Sequence, residues 1–314
     1  MLMSLTKTVV RRLGCFLPGF AAALTITSMH AAPVKDDAGH TLDLPHPAMR
    51  VISLAPSLTE MLYEAGGGDK MVGDVEYSDF PPAALKVQKV GSNQKLDLER
   101  IAMLKPDLIL VWYHGNALRE IERLTALGIP MFYLEPHTIS DIPGALERLG
   151  QLVGSEKIAQ EAAQRFRARH AALRAQYSNR PPLRVFYQIA GKPLLTINDK
   201  QIISDVINLC GGINVFGSEA MLVPQLSTES VVARDPDVIM AARISDGQSA
   251  AVRNPDAANV KSWSVFSGMK AIRNGQVWLV SGDEISRHGP RILDAAQAVC
   301  TALDSARAAM GVTK

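Results

Sequence analysis

Residues 155–177 read SEKIAQEAAQRFRARHAALRAQY, bracketed by Gly154 and by Pro181-Pro182. No Gly or Pro interrupts the run. Ser155 is placed to accept a hydrogen bond from a first-turn amide, and Glu156 suits the positive amino end of a helix. Apolar side chains recur at Ile158, Ala162, Phe166, Leu173 and Tyr177, with Arg and Gln on the other faces, so the spacing predicts one long helix with a narrow buried stripe. At the usual helical rise it is ~33 Å long, the width of a small domain. The chain before it resembles the chain after it, which makes the helix a strut between two lobes.

The repeat is clearest in LDLERIAMLKPDLIL, residues 96–110, set against LSTESVVARDPDVIM, residues 226–240. Leu, Glu, Pro and Asp coincide at 96/226, 99/229, 106/236 and 107/237. Arg184 to Gln188 mirrors Arg50 to Leu54, and Ile202 to Cys210 with Gly211-Gly212 mirrors Leu58 to Ala65 with Gly66-Gly67. A unit this long is a duplicated lobe and not a solenoid repeat. Within each copy, short apolar runs such as Leu108 to Trp112 alternate with helical spacing such as Asn116 to Leu127, and unbroken apolar strands belong to parallel sheets covered on both faces. The expected fold class is therefore α/β, with two lobes, each a mainly parallel sheet flanked by helices, joined by one long rigid helix. The expected boundaries are 33–152 for the first lobe, 153–180 for the connecting helix and 181–314 for the second lobe.

Residues 1–32 read as a signal peptide: Lys7, Arg11 and Arg12, then the apolar run Leu13 to Ile26, then small residues at Ala31 and Ala32. The run is too short to span a bilayer, which takes ~20 residues, so direct membrane insertion is not expected. Removing the leader takes three positive charges and no negative ones, which changes the formal charge from +2 to −1. A near-neutral chain without a basic stripe does not point to nucleic acid. Cys15 leaves with the leader, and Cys210 and Cys300 remain in an oxidising compartment, where a disulfide between them is expected; two buried thiols are the alternative.

Ligands of open parallel sheets gather at the carboxyl ends of the strands. Two lobes side by side face those ends across a cleft, lined by Ala55 to Ser57, Tyr77 to Pro81, Ser92 to Gln94 and Trp112 to Asn116 from the first lobe. The second lobe supplies Ala190 to Thr196, Met221 to Gln225, Arg243 to Gln248 and Gly282 to Gly289. There is no G-x-S-x-G elbow, P-loop, dinucleotide fingerprint or carboxylate-rich metal cluster, and Gly66-Gly67-Gly68 ends a helix instead of opening one. Such a cleft favours binding a small molecule over catalysis.

Taken in order, Val51-Ile52-Ser53-Leu54-Ala55-Pro56 with Thr59-Glu60, Tyr77-Ser78-Asp79-Phe80-Pro81-Pro82, Leu98-Glu99-Arg100-Ile101, Leu104-Lys105-Pro106-Asp107-Leu108, Cys210-Gly211-Gly212 with Asn214, Pro224-Gln225, Gly282-Asp283, and Pro290-Arg291 with Cys300 carry a resemblance over nearly all of the chain beyond the leader. The chain resembles the periplasmic binding proteins whose lobes are joined by a single helix and which serve ABC importers of cobalamin, haem and iron siderophores. Within that family it looks most like the cobalamin binders. The resemblance implies a monomer in the periplasm that captures cobalamin or a related corrinoid as a transported ligand, not as a cofactor, and delivers it to an inner-membrane permease. Haem or an iron siderophore is the alternative ligand, delivery to a sensor the alternative destination, and a secreted tetrapyrrole-processing enzyme a remote alternative class. It also implies that Glu99 and Glu229 pair with permease arginines. Ligand contacts fall on Ala55, Pro56, Tyr77, Asn93, Leu195, Val223, Asp283 and Arg287, although Asn93, Leu195 and Val223 stand where the cobalamin binders carry other residues, aromatic ones among them. Trp112, ending an apolar strand, reads equally as a cleft aromatic or as core. His114, His137 and His288 read as surface residues or as ligands to a metal centre carried by the ligand; no spacing supports a metal site of the protein's own. A continuous helix lacks hinge residues, so only a small closure is expected.

Overall fold

The computed structural model describes residues 33–243, 249–254 and 256–312. The expected leader, and residues 244–248 of the expected cleft lining, lie outside the described residues. The first lobe runs β1 (Val34–Lys35), β2 (Thr41–Leu42), β3 (Val51–Ser53), α1 (Pro56–Glu64), β4 (Met71–Asp74), α2 (Leu98–Met103), β5 (Leu108–Trp112), α3 (Leu118–Thr125), β6 (Met131–Leu134) and α4 (Ile142–Val153). Helix α5 (Glu156–Tyr177) follows. The second lobe runs β7 (Leu183–Gln188), β8 (Ala190–Gly191), β9 (Leu194–Leu195), α6 (Ile202–Leu209), β10 (Gly212–Asn214), α7 (Thr228–Arg234), β11 (Val238–Arg243), β12 (Val252–Arg253), α8 (Lys270–Arg273), β13 (Val277–Ser281), α9 (Gly282–Ser286) and α10 (Ile292–Ala309).

Both main sheets use the same strand order. The first is β4-β3-β5-β6 and the second β10-β7-β11-β13, with β12 added antiparallel at the β13 edge. All other neighbours in these two sheets run parallel. The period-2 alternation of a strand sends Val51, Leu108 and Leu110 into one core and Ile52, Ile109 and Val111 into another. The second sheet does the same, with Val185, Val238 and Met240 on one face and Phe186, Ile239 and Ala241 on the other. This is why the strands read as continuous apolar runs.

The duplication extends to single hydrogen bonds. Asp107 accepts from the Arg50 amide at 2.9 Å and Asp237 from the Arg184 amide at 2.9 Å. Arg50 Nη2 donates to the Leu104 carbonyl at 2.6 Å, and Arg184 Nη2 to the Arg234 carbonyl at 2.8 Å. Asp97 and Ser227 cap α2 and α7, accepting from the amides of Arg100 and Ser230. Lys105 and Asp235, at the matching turns after these helices, both take a left-handed backbone with φ of 46° and 44°.

Helix α5 departs from the expected strut in three ways. Ser155 does not cap it; its hydroxyl donates to the Ala65 carbonyl at 2.6 Å and ties the helix start to the end of α1. Ile158 is 51% exposed, and Ala159 and Ala163 are buried instead. Small residues face inward because α4 crosses closely: a Cβ on Gly150 would lie 2.3 Å from the Ala159 methyl. Finally, α5 spans no gap. It packs on α1 and α4 of the first lobe and on α6 and α10 of the second, and one core cluster continues from Leu58, Leu146 and Leu149 through Phe166 and Leu173 to Ile207 and Leu303. Burying Phe166 and Leu173 contributes ~1.5–3 kcal/mol each. The lobes thus share a core on the helix side and separate only at the strand ends.

Candidate functional site

At the strand ends, a cavity of about 220 Å³ is lined by Ala55, Pro56, Ser57, Val75, Glu76, Tyr77, Asn93 and Trp112 from the first lobe and by Ser286, Arg287 and His288 from the second. Pro56 opens α1, so the amino end of that helix borders the cavity. A groove of about 260 Å³ runs beside α5 between Glu64, Phe166 and Leu293. It borders α5 and the Glu60, Phe80 and Arg291 cluster but includes none of Ala55, Tyr77, Asn93 and Trp112, where the parallel topology collects ligand contacts, and so is not the candidate site.

Two aromatics face the strand-end cavity. Tyr77 is 77% exposed and sits at φ 65°, a left-handed conformation that a bulky residue rarely takes and that costs ~1–3 kcal/mol. Trp112, at the end of β5, donates its indole N–H to Glu135 at 3.3 Å, and a Cβ on Gly115 would lie 1.9 Å from its ring, so only glycine lets the loop fold back over it. Asn116 holds that loop, accepting from the Trp112 amide at 2.7 Å and donating to the Leu54 carbonyl at 2.8 Å.

Beneath Tyr77, Asp74 ends β4 fully buried with the Lys89 ammonium 2.8 Å from Oδ1. The pair is ionic without a well-directed hydrogen bond. Burial therefore outweighs the lysine and raises the Asp74 carboxyl to about 6. A carboxyl whose folded pKa lies above its unfolded value contributes stability that is complete below about pH 3.8 and is lost as pH rises through about 6. Asp74→Asn is accordingly expected to change stability little at pH 4 and to raise it by up to ~3 kcal/mol at pH 7 to 8. Urea unfolding at both pH values checks this; an equal effect at the two would refute it.

The second lobe reaches over the cavity through one segment, α9 and the turn to α10. Arg287, only 10% exposed at its side chain, donates Nη1 to Glu60 at 2.9 Å and to Asp79 at 2.7 Å, both across the cleft, and Nη2 to Asp283 at 3.0 Å. Arg291 adds bonds to Glu60 at 2.9 and 2.5 Å and stacks 4.1 Å from the Phe80 ring centroid. Desolvation opposes the charge on both guanidiniums, but their carboxylate partners outweigh it and hold their pKa above the ordinary value. His288 bridges the same gap. Gln201 spends its side-chain oxygen on the Ile203 amide, so its NH2 donates to His288 Nε2 at 3.3 Å, which leaves the proton on Nδ1 to donate to the Pro136 carbonyl at 3.0 Å. Burial, the largest influence, holds this imidazole below its usual pKa and hence neutral.

Of the residues expected from sequence, Ala55, Pro56, Tyr77, Asn93, Trp112 and Arg287 meet around this cavity. Asp283 stands behind Arg287 as its partner. Leu195 and Val223 do not line it: β9 pairs with the segment around Gln225, and Met221, Leu222 and Val223 form an exposed apolar edge of the second lobe. His288 lines the cavity from within the stretch Gly282 to Gly289 expected there, and Asp79 lies in the expected stretch Tyr77 to Pro81, whereas Glu76, on the cavity wall, and Glu60, behind it, were not among the expected contacts. Glu60 carries a signal in the sequence, a carboxylate amid Leu58, Met61 and Leu62 on a helix face that turns inward. Among the described residues, no group of three or more His, Cys, Asp or Glu side chains is arranged to hold a metal ion, and no helix is long and apolar enough to cross a membrane.

Residues 51–283 match the family model described as "Periplasmic binding protein". The chain belongs to the periplasmic binding protein family. Like other members it is a substrate-binding protein and not an enzyme. Its relatives include a vitamin B12-binding protein of Vibrio cholerae serotype O1, 39% identical over 264 residues that cover 84% of this chain and 92% of the relative. Another, from Yersinia pestis, is 38% identical over 293 residues, 93% of this chain and 96% of the relative. Among solved structures, the periplasmic vitamin B12-binding protein of Vibrio cholerae superposes with a TM-score of 0.74 at 38% identity, covering 83% of this chain and 98% of that one. A periplasmic haem-binding protein in complex with two haems superposes at 0.71 with 22% identity, over 82% of this chain and 98% of that one, which shows a shared fold alone. For this periplasmic binding protein, the expected α/β architecture with parallel sheets flanked by helices is thereby borne out.

Proposed function

We propose that this protein captures cobalamin or a related corrinoid in the cleft and delivers it to the permease of an inner-membrane ABC importer, after a leader at residues 1–32 has directed it to the periplasm. The observation that carries this reading is a strand-end cleft with Tyr77 and Trp112 on one wall, in a chain 39% identical to a vitamin B12-binding protein. Residues 33–152 and 181–314 act as the two lobes, with 153–180 between them. The ring of the ligand lies against Tyr77 and Trp112, each able to bury ~150–250 Å². Ala55, Pro56 and Asn93 border it, and Asp283 and Arg287 meet its polar edge. The half-open cavity is smaller than the ~300–1,000 Å³ of ordinary small-molecule sites, so a corrinoid fills it and extends into the open mouth towards Leu195 and Val223. Because α5 packs on both lobes, opening is a small rocking motion at the α9 segment. Isothermal titration with cyanocobalamin, cobinamide and haemin tests the reading. Saturable binding of a corrinoid is expected; tight haemin binding with no response to either corrinoid would overturn it.

A further inference from the structure

The loop that carries Tyr77 is held from below by an ion pair. Asp74, which ends β4, is fully buried, and the Lys89 ammonium stands 2.8 Å from its Oδ1. The Lys89 backbone is fixed beside β4: the Asp74 amide donates to the Gln88 carbonyl at 3.0 Å, its carbonyl accepts from the Val90 amide at 2.8 Å, and Arg100 donates to the Lys89 carbonyl at 2.8 Å. From there the ammonium turns its other protons to the loop, donating to the Ser78 carbonyl at 2.8 Å and reaching the Ala84 carbonyl at 3.5 Å. Ser78 directly follows Tyr77, and its hydroxyl accepts from Thr59 at 3.2 Å. Tyr77 itself has a 77% exposed side chain on a left-handed backbone, so its placement rests on these anchors of the loop and not on packing of its ring. The Lys89 side chain is 35% exposed, and water can receive it once Asp74 no longer holds it.

Resting on the corrinoid reading above, we infer that Asp74 and Lys89 are positioning residues for Tyr77: the charged pair fixes the loop that presents the ring to the ligand, so the cleft holds its ligand more tightly when Asp74 is ionised than when it is neutral. An ammonium next to a neutral carboxyl has lost its counter-charge, and a strongly hydrated lysine then gains more from water than from one carbonyl. Burial, opposed by Lys89, raises the Asp74 carboxyl to about 6, which sets the pH at which the pair forms. Tyr63, on α1, feels the Asp74 charge, but burial first and that charge second hold its hydroxyl above the ordinary range, so it stays neutral. The charged groups on the surrounding elements are turned elsewhere: Glu60 and Asp79 to Arg287, Glu64 to Arg165 and Arg100 to Asp97, while Glu76 and Lys86 are exposed. Binding that favours the charged pair releases a proton, so affinity rises as pH passes through about 6, whereas the stability contributed by the raised carboxyl falls over the same range. The pair thus lowers stability while it fixes Tyr77.

The test uses the whole mature protein, with cyanocobalamin affinity measured by calorimetry between pH 5 and pH 8 and amide hydrogen exchange of residues 75–79 followed without ligand. Wild-type affinity is expected to rise roughly fivefold to tenfold across that range, with its midpoint near 6. Asp74→Asn and Lys89→Met are expected to bind at the low-pH level of wild type at every pH, although Asp74→Asn unfolds at higher urea near neutral pH. A merely structural loss would move affinity and stability in the same direction. Tyr77→Ala is expected to abolish the pH dependence, and adding Asp74→Asn to it to change affinity no further. Protection of the Ser78 and Asp79 amides, corrected for intrinsic exchange, should fall as wild type is acidified and stay low in Asp74→Asn. Wild-type affinity and pH profile in both pair variants, or a pH dependence retained in Tyr77→Ala, would overturn the inference while leaving the corrinoid reading intact. If cyanocobalamin does not bind, the corrinoid reading fails and exchange decides whether the pair holds the loop: protection independent of pH in wild type overturns it, and a midpoint near 6 that Asp74→Asn removes supports it.

Discussion

Uptake is expected to vanish when Glu99 and Glu229 are both replaced by alanine, with ligand affinity unchanged. Both residues are exposed, each in the first turn of its helix, α2 or α7. They occupy the same place in the two copies of the duplicated lobe, after matching caps at Asp97 and Ser227 and before matching turns at Lys105 and Asp235. Hydrogen bonds from its own amide and from the Ser227 hydroxyl hold the Glu229 carboxyl below the usual glutamate range, so it is charged at any periplasmic pH near neutral. Two equivalent carboxylates on two similar lobes suit a partner with two equivalent cationic sites. Neither side chain touches the cavity, which is why affinity and transport separate. Transport of labelled cyanocobalamin in cells lacking their own binding protein, beside calorimetry on the purified variant, checks this. Normal uptake by the double variant would end the docking assignment.

The second large effect is on stability. Cys210, at the carboxyl end of α6, is bonded to Cys300 in the middle of α10, with both side chains fully buried and a separation of 90 positions in sequence. The chain-entropy model gives an upper value near ~4 to 5 kcal/mol for such a loop, and loss of a native disulfide costs ~2–5 kcal/mol. Cys210→Ala with Cys300→Ala is expected to fall in that range, read from urea midpoints at constant slope. Arg307 limits the local damage: it donates to the carbonyls of Pro181, Cys210 and Gly211 at 2.7, 2.8 and 3.0 Å, so the end of α6 stays tied to α10 without the bond. The double variant should therefore fold and bind ligand. A midpoint indistinguishable from wild type would refute the prediction, as would two titratable thiols in the unreduced, denatured protein.

Much of the architecture was legible because its causes are local. Period-2 apolar strands, helical spacing, glycine stops and the register of 96–110 on 226–240 are properties of neighbouring residues. They carry through to a sheet order and hydrogen bonds that repeat between the lobes. The cavity wall from the first lobe was legible for the same reason, since Ala55, Tyr77, Asn93 and Trp112 each follow a strand or its loop and parallel topology sends those loops to one edge. The contacts across the cleft were not. Glu60 meets Arg287 and Arg291 over 227 and 231 positions of sequence, and no periodicity links them.

The long helix marks the same division. Its extent, Glu156–Tyr177, follows from propensity and the absence of breakers, which act within a few residues. Which of its faces is buried was decided by the close crossing at Gly150 and by cores supplied from both lobes. The sequence by itself determined two duplicated α/β lobes around a helix, an export leader as an expectation, and a strand-end cleft. Only the tertiary structure decided that α5 lies on a shared core, that Leu195 and Val223 stand outside the strand-end cavity, and that Arg287 is already surrounded by carboxylates. Those outcomes depend on side chains brought together from opposite ends of the chain, where packing and charge pairing, not local preference, set the geometry.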